Sequence, residues 1–338
     1  MIEIVALSGA MREAVGLAER VAPTDANVLV TGESGSGKDA LAAFIHSRST
    51  RARQPLVKIG CATLPADLLE AELFGYERGA FTGATEAKPG RLEAAHRGTL
   101  VLDEIAHLSL DAQAKLLRVI EHREFERLGG RKTIEVDARL IALTNADLKN
   151  AVERRAFRDD LFYRLNVVQI TVPPLRARRQ DFPSLTRAFV LMYAQKHGRQ
   201  TRKLSREAND LLLAYEFPGN VRELANIIER AVIVCEGAEI EASHLPDSVR
   251  VAAAQRARKN RPPTLADVEA DYIRETLAAT KGNKSEAAKI LGISRKTLYE
   301  RLARENKEVR DQESEVRKKS SERASEIESH SDHDKSDY

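Results

Sequence analysis

Two short stretches hold residue types whose spacing can do chemistry. Gly32-Glu33-Ser34-Gly35-Ser36-Gly37-Lys38-Asp39 follows the apolar run Val28–Val30 and precedes a helical pattern from Ala40 through Ile45. Glycines let backbone N–H groups converge on an anion, and a helix N-terminus adds partial positive charge there. Lys38 supplies a mobile point charge for the β- and γ-phosphates of a nucleotide. The spacing fits a nucleotide-binding loop with one departure: Asp39 stands where a Ser or Thr normally ligates Mg²⁺. The second stretch is Asp103-Glu104, at the end of the apolar run Thr99–Leu102. There Asp103 can hold Mg²⁺ through water, and Glu104 can orient or deprotonate an attacking water. A nucleotide with Mg²⁺ is therefore the expected ligand, and attack of water on its phosphates is the chemistry these residues suit.

The elements that must position these groups recur along the chain. Leu56–Ile59, Thr99–Leu102, Leu140–Thr144 and Val167–Val172 read as strands, separated by helical patterns such as Ala112–Glu121. Strands alternating with helices predict a mostly parallel sheet covered on both faces, a three-layer α/β fold. Ligand groups then gather beyond the carboxyl ends of the strands. Thr144-Asn145 ends one of them, which would face Asn145 towards a γ-phosphate.

Composition narrows the alternatives. The chain has 338 residues and a net charge of +3, enough for two or three domains. It shows no apolar run of membrane-spanning length and no charged-then-apolar leader pattern. Cys61 and Cys235 have no paired spacing and read as reduced core residues, so a cytoplasmic location is expected. Lys/Arg and Asp/Glu balance at 34 and 34 over residues 1–248, but run 15 against 8 over 249–310 and 5 against 9 over 311–338. The middle block is where a polyanion would bind.

That block carries its own pattern. Pro246 to Pro263 is polar and Ala-rich, as a linker is. Thr264 then caps a helix whose Leu265, Val268, Tyr272, Ile273 and Leu277 recur on one face. Asn283 caps a second helix, Gly292 makes the turn, and Ser294 caps a third through Leu302. Helix, short turn, helix is a helix-turn-helix. Lys284, Ser294, Arg295, Lys296, Thr297, Tyr299 and Arg301 are the expected DNA contacts, with Lys284 and Arg304 nearer phosphates and the start of the third helix at base edges. Residues 307–338 are acidic and nearly devoid of apolar side chains, and read as a disordered tail whose His330 and His333 make no metal site.

Between the two chemical stretches lies Gly79-Ala80-Phe81-Thr82-Gly83-Ala84, one aromatic among small, flexible residues, as an exposed loop that inserts a ring into a partner. With GESGSGKD at 32–39, ELFGYERGAFTGA at 72–84, GTLVLDE at 98–104, LTNADL at 143–148, FRDDLFYRLNVVQITVPPLRARRQD at 157–181 and FPGNVREL at 217–224, the chain resembles a sigma-54-dependent transcriptional activator, a bacterial enhancer-binding protein of the AAA+ ATPase superfamily. NKSEAAKILGISRKTLYERL resembles the Fis-type domain that ends most such proteins.

The resemblance implies an AAA+ core over 1–172, a helical lid over 173–245, a linker over 246–263 and a Fis-type domain over 264–306. It implies that the nucleotide is ATP, that residues 79–84 contact sigma-54 RNA polymerase, that Arg222 is a second sensor, and that Arg158 and Arg164 are arginine fingers reaching a neighbouring subunit's γ-phosphate. A hexameric ring when active, a dimer on palindromic enhancer DNA, and no membrane partner are expected from it. No sensory domain precedes Met1 in this sequence, so control by a separate regulatory protein, a partner activator or expression level is the expectation. The competing reading is a DNA-binding regulator whose nucleotide domain serves only ligand-gated assembly, which ATP turnover separates. A helicase or unfoldase is disfavoured by the intact loop at 79–84.

One further departure bears on rate. The family places an Asn, thought to restrain the catalytic Glu, where Gly60 precedes Cys61 here. Hydrolysis is therefore expected to be less tightly coupled to ligand and target. Gly60→Asn should lower the basal ATPase rate and increase its stimulation; if both stay unchanged in a phosphate-release assay, that expectation fails.

Overall fold

Side chains alternate across three apolar runs, and the alternation divides them between two cores. The fold is described here from a computed structural model, over residues 4–201, 203–260, 265–280 and 282–301. Five strands form one sheet: β1 (Val28–Thr31), β2 (Leu56–Gly60), β3 (Thr99–Asp103), β4 (Arg139–Thr144) and β5 (Val168–Thr171). Their order is β2-β3-β4-β1-β5 and every pair is parallel, with Val28 level with Ile141 and Val168, and Thr99 level with Leu56 and Arg139. Leu29, Leu100, Leu102, Leu140 and Ala142 enter one core, while Val28, Val30, Val101, Ile141 and Leu143 enter the other. Successive residues of a strand point to opposite faces, so a run apolar at every position must be covered twice. This is the three-layer α/β arrangement expected from the chain.

The buried guanidinium of Arg139 ties the sheet to the segment before β1. It donates to the carbonyls of Val21 (2.9 Å), Ala22 (2.6 Å) and Ala26 (3.3 Å), ending the helix Gly9–Val21 and turning the chain into β1. Cys61 and Cys235 are both buried and free, and burial, with Asp103 and Glu104 nearby, pushes the Cys61 thiol up to about 12.

The lid has a core of its own, the third in the same compact unit. Phe182–Lys196, Arg206–Ala214 and Asn220–Val234 are its main helices, packed around Val190, Leu212, Leu224, Ile228 and Val232. The stretch 246–263, read as a linker, needs correcting: Asp247–Asn260 is helical, and Val249, four residues before Ala253, is buried in the lid core. Its alanines favour helix, and two apolar residues at that spacing share one face.

A second unit begins at Gln255. Within it the helices Leu265–Ala279 and Lys284–Ile290, with helical residues 295–301, enclose Ile273, Ala287, Ala288 and Leu298. Tyr272, grouped in sequence with the buried face, is instead half exposed beside Ile273, since adjacent helical positions cannot share one face. Thr264, Leu302, Arg304, His330, His333 and the tail at 307–338 lie outside the described residues. Among the described residues no helix is long and apolar enough to cross a membrane.

Core and lid meet backbone to backbone at the glycine-rich loop. Gly35 has φ +72°, and a Cβ there would stand 2.4 Å from the carbonyl oxygen of Gly219. Neither backbone can yield cheaply, so Gly35→Ala must part the lid from the loop. Its expected cost is about 1–3 kcal/mol, seen as a lowered Tm and faster proteolysis of the lid; an unchanged Tm would mean the contact is not held.

Candidate functional site

Residues 32–37 leave the carboxyl end of β1 and pass directly into the helix Lys38–Ser47. Gly37, at φ +108°, is the helix N-cap, and no side chain occupies the N–H groups of its first turn. A Cβ at Gly37 would meet only one Arg178 nitrogen, 4.0 Å away, so the space above these donors is open. Oriented N–H groups and a helix dipole facing open space suit a phosphate. The buried Lys38 ammonium donates to the carbonyls of Gly32 (2.9 Å) and Glu33 (3.3 Å) and stands 3.4 Å from Glu104 Oε1. The Ser36 hydroxyl is buried without a hydrogen-bond partner among the described residues.

Strand order brings the rest of the chemistry to this point. Glu104, at the end of β3, adopts φ +57°, a strained conformation of the kind that persists where the surroundings dictate it. Its Oε2 accepts the backbone N–H of Asn145 at 2.9 Å, while Oε1 faces Lys38. Sequence reasoning expected the Asn145 side chain to act; the observed contact is its backbone. Asp103 lies beside Glu104 and is paired through Oδ2 with Lys58 Nζ at 2.9 Å. Lys58 also bonds Asp39, which joins the two acidic positions through one ammonium. Burial draws the Lys58 pKa down, but hydrogen bonds to Asp39 and Asp103 outweigh it and hold the ammonium above its ordinary range.

Ser34, Gly35, Gly37, Lys38, Asp39, Gly60, Asp103, Glu104 and Arg222 line one cleft of about 500 Å³, a size that suits a nucleotide. The oxygen donors of Asp103 and Asp39 suit a hard divalent cation such as Mg²⁺, which takes one or two carboxylates and keeps its waters. Gly60 forms part of the wall, with its carbonyl accepting from Thr63 Oγ1 at 2.8 Å. Without a side chain at 60, Glu104 is held by Lys38 and the Asn145 N–H instead.

The lid closes over the loop crest. Arg222 Nη1 donates to Ser34 Oγ at 3.2 Å, and the backbone N–H groups of Val221 and Arg222 donate to the Gly35 carbonyl at 3.0 and 3.3 Å. Asn220 Nδ2 reaches the Ser34 carbonyl at 3.0 Å and Glu33 at 3.1 Å. Arg176 forks onto Glu33, with Nη1 at 2.7 Å from Oε2, and this pair with Asn220 holds the Glu33 carboxyl down at about 2. Arg178 donates to the Ser36 carbonyl at 2.5 Å. Lys58, Arg176, Arg178 and Asn220 were not singled out from sequence. The basic run PPLRARRQD and the Gly-Asn turn before Val221 were the available signals.

Arg158 and Arg164 are not brought to this cleft. Both are exposed, Arg158 pairing with Asp160 at 2.7 Å and Arg164 with Glu121 at 3.0 Å. The Arg164 carbonyl accepts from Asn27 Nδ2 at 3.0 Å, before the start of β1, whereas the glycine-rich loop follows its end. A four-residue strand at about 3.3 Å per residue separates the two levels.

Residues 79–84 form a tight loop between the short antiparallel strands Gly75–Tyr76 and Lys88–Pro89. The Gly79 N–H donates to the Ala84 carbonyl at 2.8 Å, closing its base. Thr82 is exposed and Ala84 buried, while Phe81 is 42% exposed with its ring edge-on to Tyr76 at 5.0 Å. A hairpin of Glu124–Glu126 with Thr133–Glu135, unforeseen in the sequence, braces the loop. Its Leu128 exchanges backbone hydrogen bonds with Gly75 and Glu77 at 2.9 Å, and Arg127 bonds both Glu77 and Glu93.

In the second unit, Asn283 accepts the N–H groups of Ser285 and Glu286, and Ser294 Oγ accepts that of Thr297 at 3.1 Å. Both are caps as expected, and Gly292 turns the chain at φ +67°. Arg295 and Lys296 are exposed, Thr297 is half-buried, Lys284 Nζ lies 4.8 Å over the Tyr299 ring, and Arg301 pairs with Glu269.

Residues 4–171 match the sigma-54 interaction domain, 176–262 the AAA+ ATPase lid domain, and 264–304 the bacterial regulatory protein, Fis family. The transcriptional regulatory protein ZraR of Klebsiella oxytoca is 47% identical over 300 residues, covering 88% of this chain and 68% of that protein. FlbD of Caulobacter vibrioides is 45% identical over 309 residues, covering 87% and 68%. The crystal structure of NtrX from Brucella abortus in complex with ATP matches at TM-score 0.67 and 37% identity, covering 90% of this chain and 69% of that one. The chain belongs to the sigma-54-dependent transcriptional activators, AAA+ proteins that end in a Fis-type helix-turn-helix.

Proposed function

We propose that this protein binds enhancer DNA through its C-terminal unit, hydrolyses ATP at the glycine-rich loop, and uses that energy to remodel the sigma-54 RNA polymerase closed complex. The observation that carries the reading is Glu104, held between Lys38 and the Asn145 N–H at the edge of an open phosphate cradle. The loop N–H groups would take the β-phosphate and Lys38 the γ-phosphate. Lys38 then exchanges its loop carbonyls for phosphate oxygens and withdraws its charge from Glu104. Glu104, still fixed by Asn145, is free to orient the attacking water and accept its proton. Asp103, with Asp39, would hold Mg²⁺, which when bound neutralises charge on the phosphates.

Arg222, anchored to the loop crest from the lid, makes lid position depend on what the loop holds. Arg158 and Arg164 lie on an exposed face away from the chain's own cleft, which suits donation to a neighbour's γ-phosphate in a ring, hexameric by family analogy. An arginine supplied in trans stabilises transition-state charge by orders of magnitude. Phe81 and Thr82, on a braced and exposed loop, are the contact for sigma-54. Arg295, Lys296 and Thr297 open the helix that would enter the major groove of a palindromic site, with Lys284, Ser294, Tyr299 and Arg301 supporting it.

A second reading, ligand-gated assembly without turnover, is favoured by the ammonium of Lys58 between Asp39 and Asp103. Phosphate release by purified protein under assembling conditions excludes it. Thr82→Ala should retain most of the ATPase rate and lose open-complex formation on a sigma-54 promoter. Normal transcription by that variant would show that residues 79–84 do not deliver the work.

A further inference from the structure

Lys58 sits on the edge strand β2, level with Val101, while Gly60 is level with Asp103. Two residues of strand span about 7 Å, so the Lys58 side chain leans forward along the sheet to meet Asp103. Gly60, the next residue on the same strand face, places no side chain in that path. The ammonium ends 2.9 Å from Asp103 Oδ2 and also bonds Asp39 Oδ1, at the first turn of the helix that follows the glycine-rich loop. These are the carboxylates whose oxygens would hold the divalent cation. One side chain of the chain itself therefore satisfies both.

We propose that Lys58 is a tethered cation that occupies the metal position of the nucleotide cleft, and that Mg²⁺ binds by displacing it from Asp103 and Asp39. The inference rests on the reading of the cleft as an ATP site. Two carboxylates beside a triphosphate repel it, and one ammonium between them removes part of that repulsion. The same ammonium competes with any metal for the same oxygens. Lys58 thus acts in two opposite senses: it supports nucleotide binding without metal and raises the Mg²⁺ concentration needed to complete the site. It is a positioning residue for charge, not a group that touches the reacting atoms.

The opposed signs give the test. Binding of a fluorescent ATP analogue to the full chain is measured by anisotropy, first in EDTA and then across a Mg²⁺ titration, for wild type and Lys58→Met. A half-exposed ion pair is worth up to roughly 1 kcal/mol, about fivefold. Lys58→Met is therefore expected to weaken metal-free nucleotide binding about fivefold and to move the Mg²⁺ midpoint about fivefold lower. A shared loss in both measurements, as general damage would give, overturns the proposal, as does no change in either. Lys58 lies on an edge strand and is half exposed, so the variant should fold; an unchanged Tm checks this, and Lys58→Gln serves as a second neutral variant expected to shift both values in the same directions. If wild type binds no analogue at any Mg²⁺ concentration, the ATP reading itself falls and the proposal with it, an outcome distinct from normal binding with an inert Lys58.

Discussion

Lys38 and Glu104 stand 3.4 Å apart because strand order, not sequence proximity, decides what meets at the sheet's edge. β1 and β3 flank β4, so the loop after β1, the acidic pair after β3 and Asn145 after β4 converge from three successive strands. All five strands of this sheet are parallel, so every carboxyl end in it points the same way. The buried cores on either face fix the spacing between them. The remaining geometry of the cleft depends on this one meeting point, including the strained backbone of Glu104 and the lid contacts on the loop crest.

The lid reaches the loop crest directly. Its hold on the loop is almost wholly polar: Asn220, Arg222, Arg176 and Arg178 contact residues 33–36 through carbonyls, one hydroxyl and one carboxylate. Polar contacts of this kind exchange for phosphate oxygens at modest net cost, whereas a packed apolar interface would not. The glycine at 35 permits the close approach that makes the contacts short. Charge is thus the common currency of the cleft, with Lys38, Lys58 and the lid arginines all set against Glu33, Asp39, Asp103 and Glu104.

Much of this was legible in the chain. Val28–Val30 and Leu140–Leu143, apolar at every position, announced strands covered on both faces, and glycine spacing located the cradle. The caps Asn283 and Ser294 and the turn at Gly292 were equally local, and local signals survive folding. Lys58 was hidden because a lysine on an edge strand looks solvated until Asp39 and Asp103, far off in sequence, are placed beside it. The bracing hairpin at 124–135 was missed for a different reason: its strands are three residues each, and the one apolar pair across them, Phe125 with Ile134, is too short a run to show an alternation. The start of the segment 246–263 looked like a linker from its polar composition, yet Val249 and Ala253, four residues apart on one helix, are both buried.

The central claim is that the pocket built on Lys38 is completed by an arginine from another copy of the chain. Mixing two variants tests it most directly: Lys38→Ala, which cannot hold the phosphates, and Arg164→Ala, which cannot supply the guanidinium. Each alone should be nearly inactive in phosphate release. Mixed in equal amounts, random assembly pairs an intact loop with an intact arginine at about a quarter of sites, and turnover by a trans arginine should return in that proportion. A mixture as inactive as its components, in assemblies shown to contain both, would contradict the account.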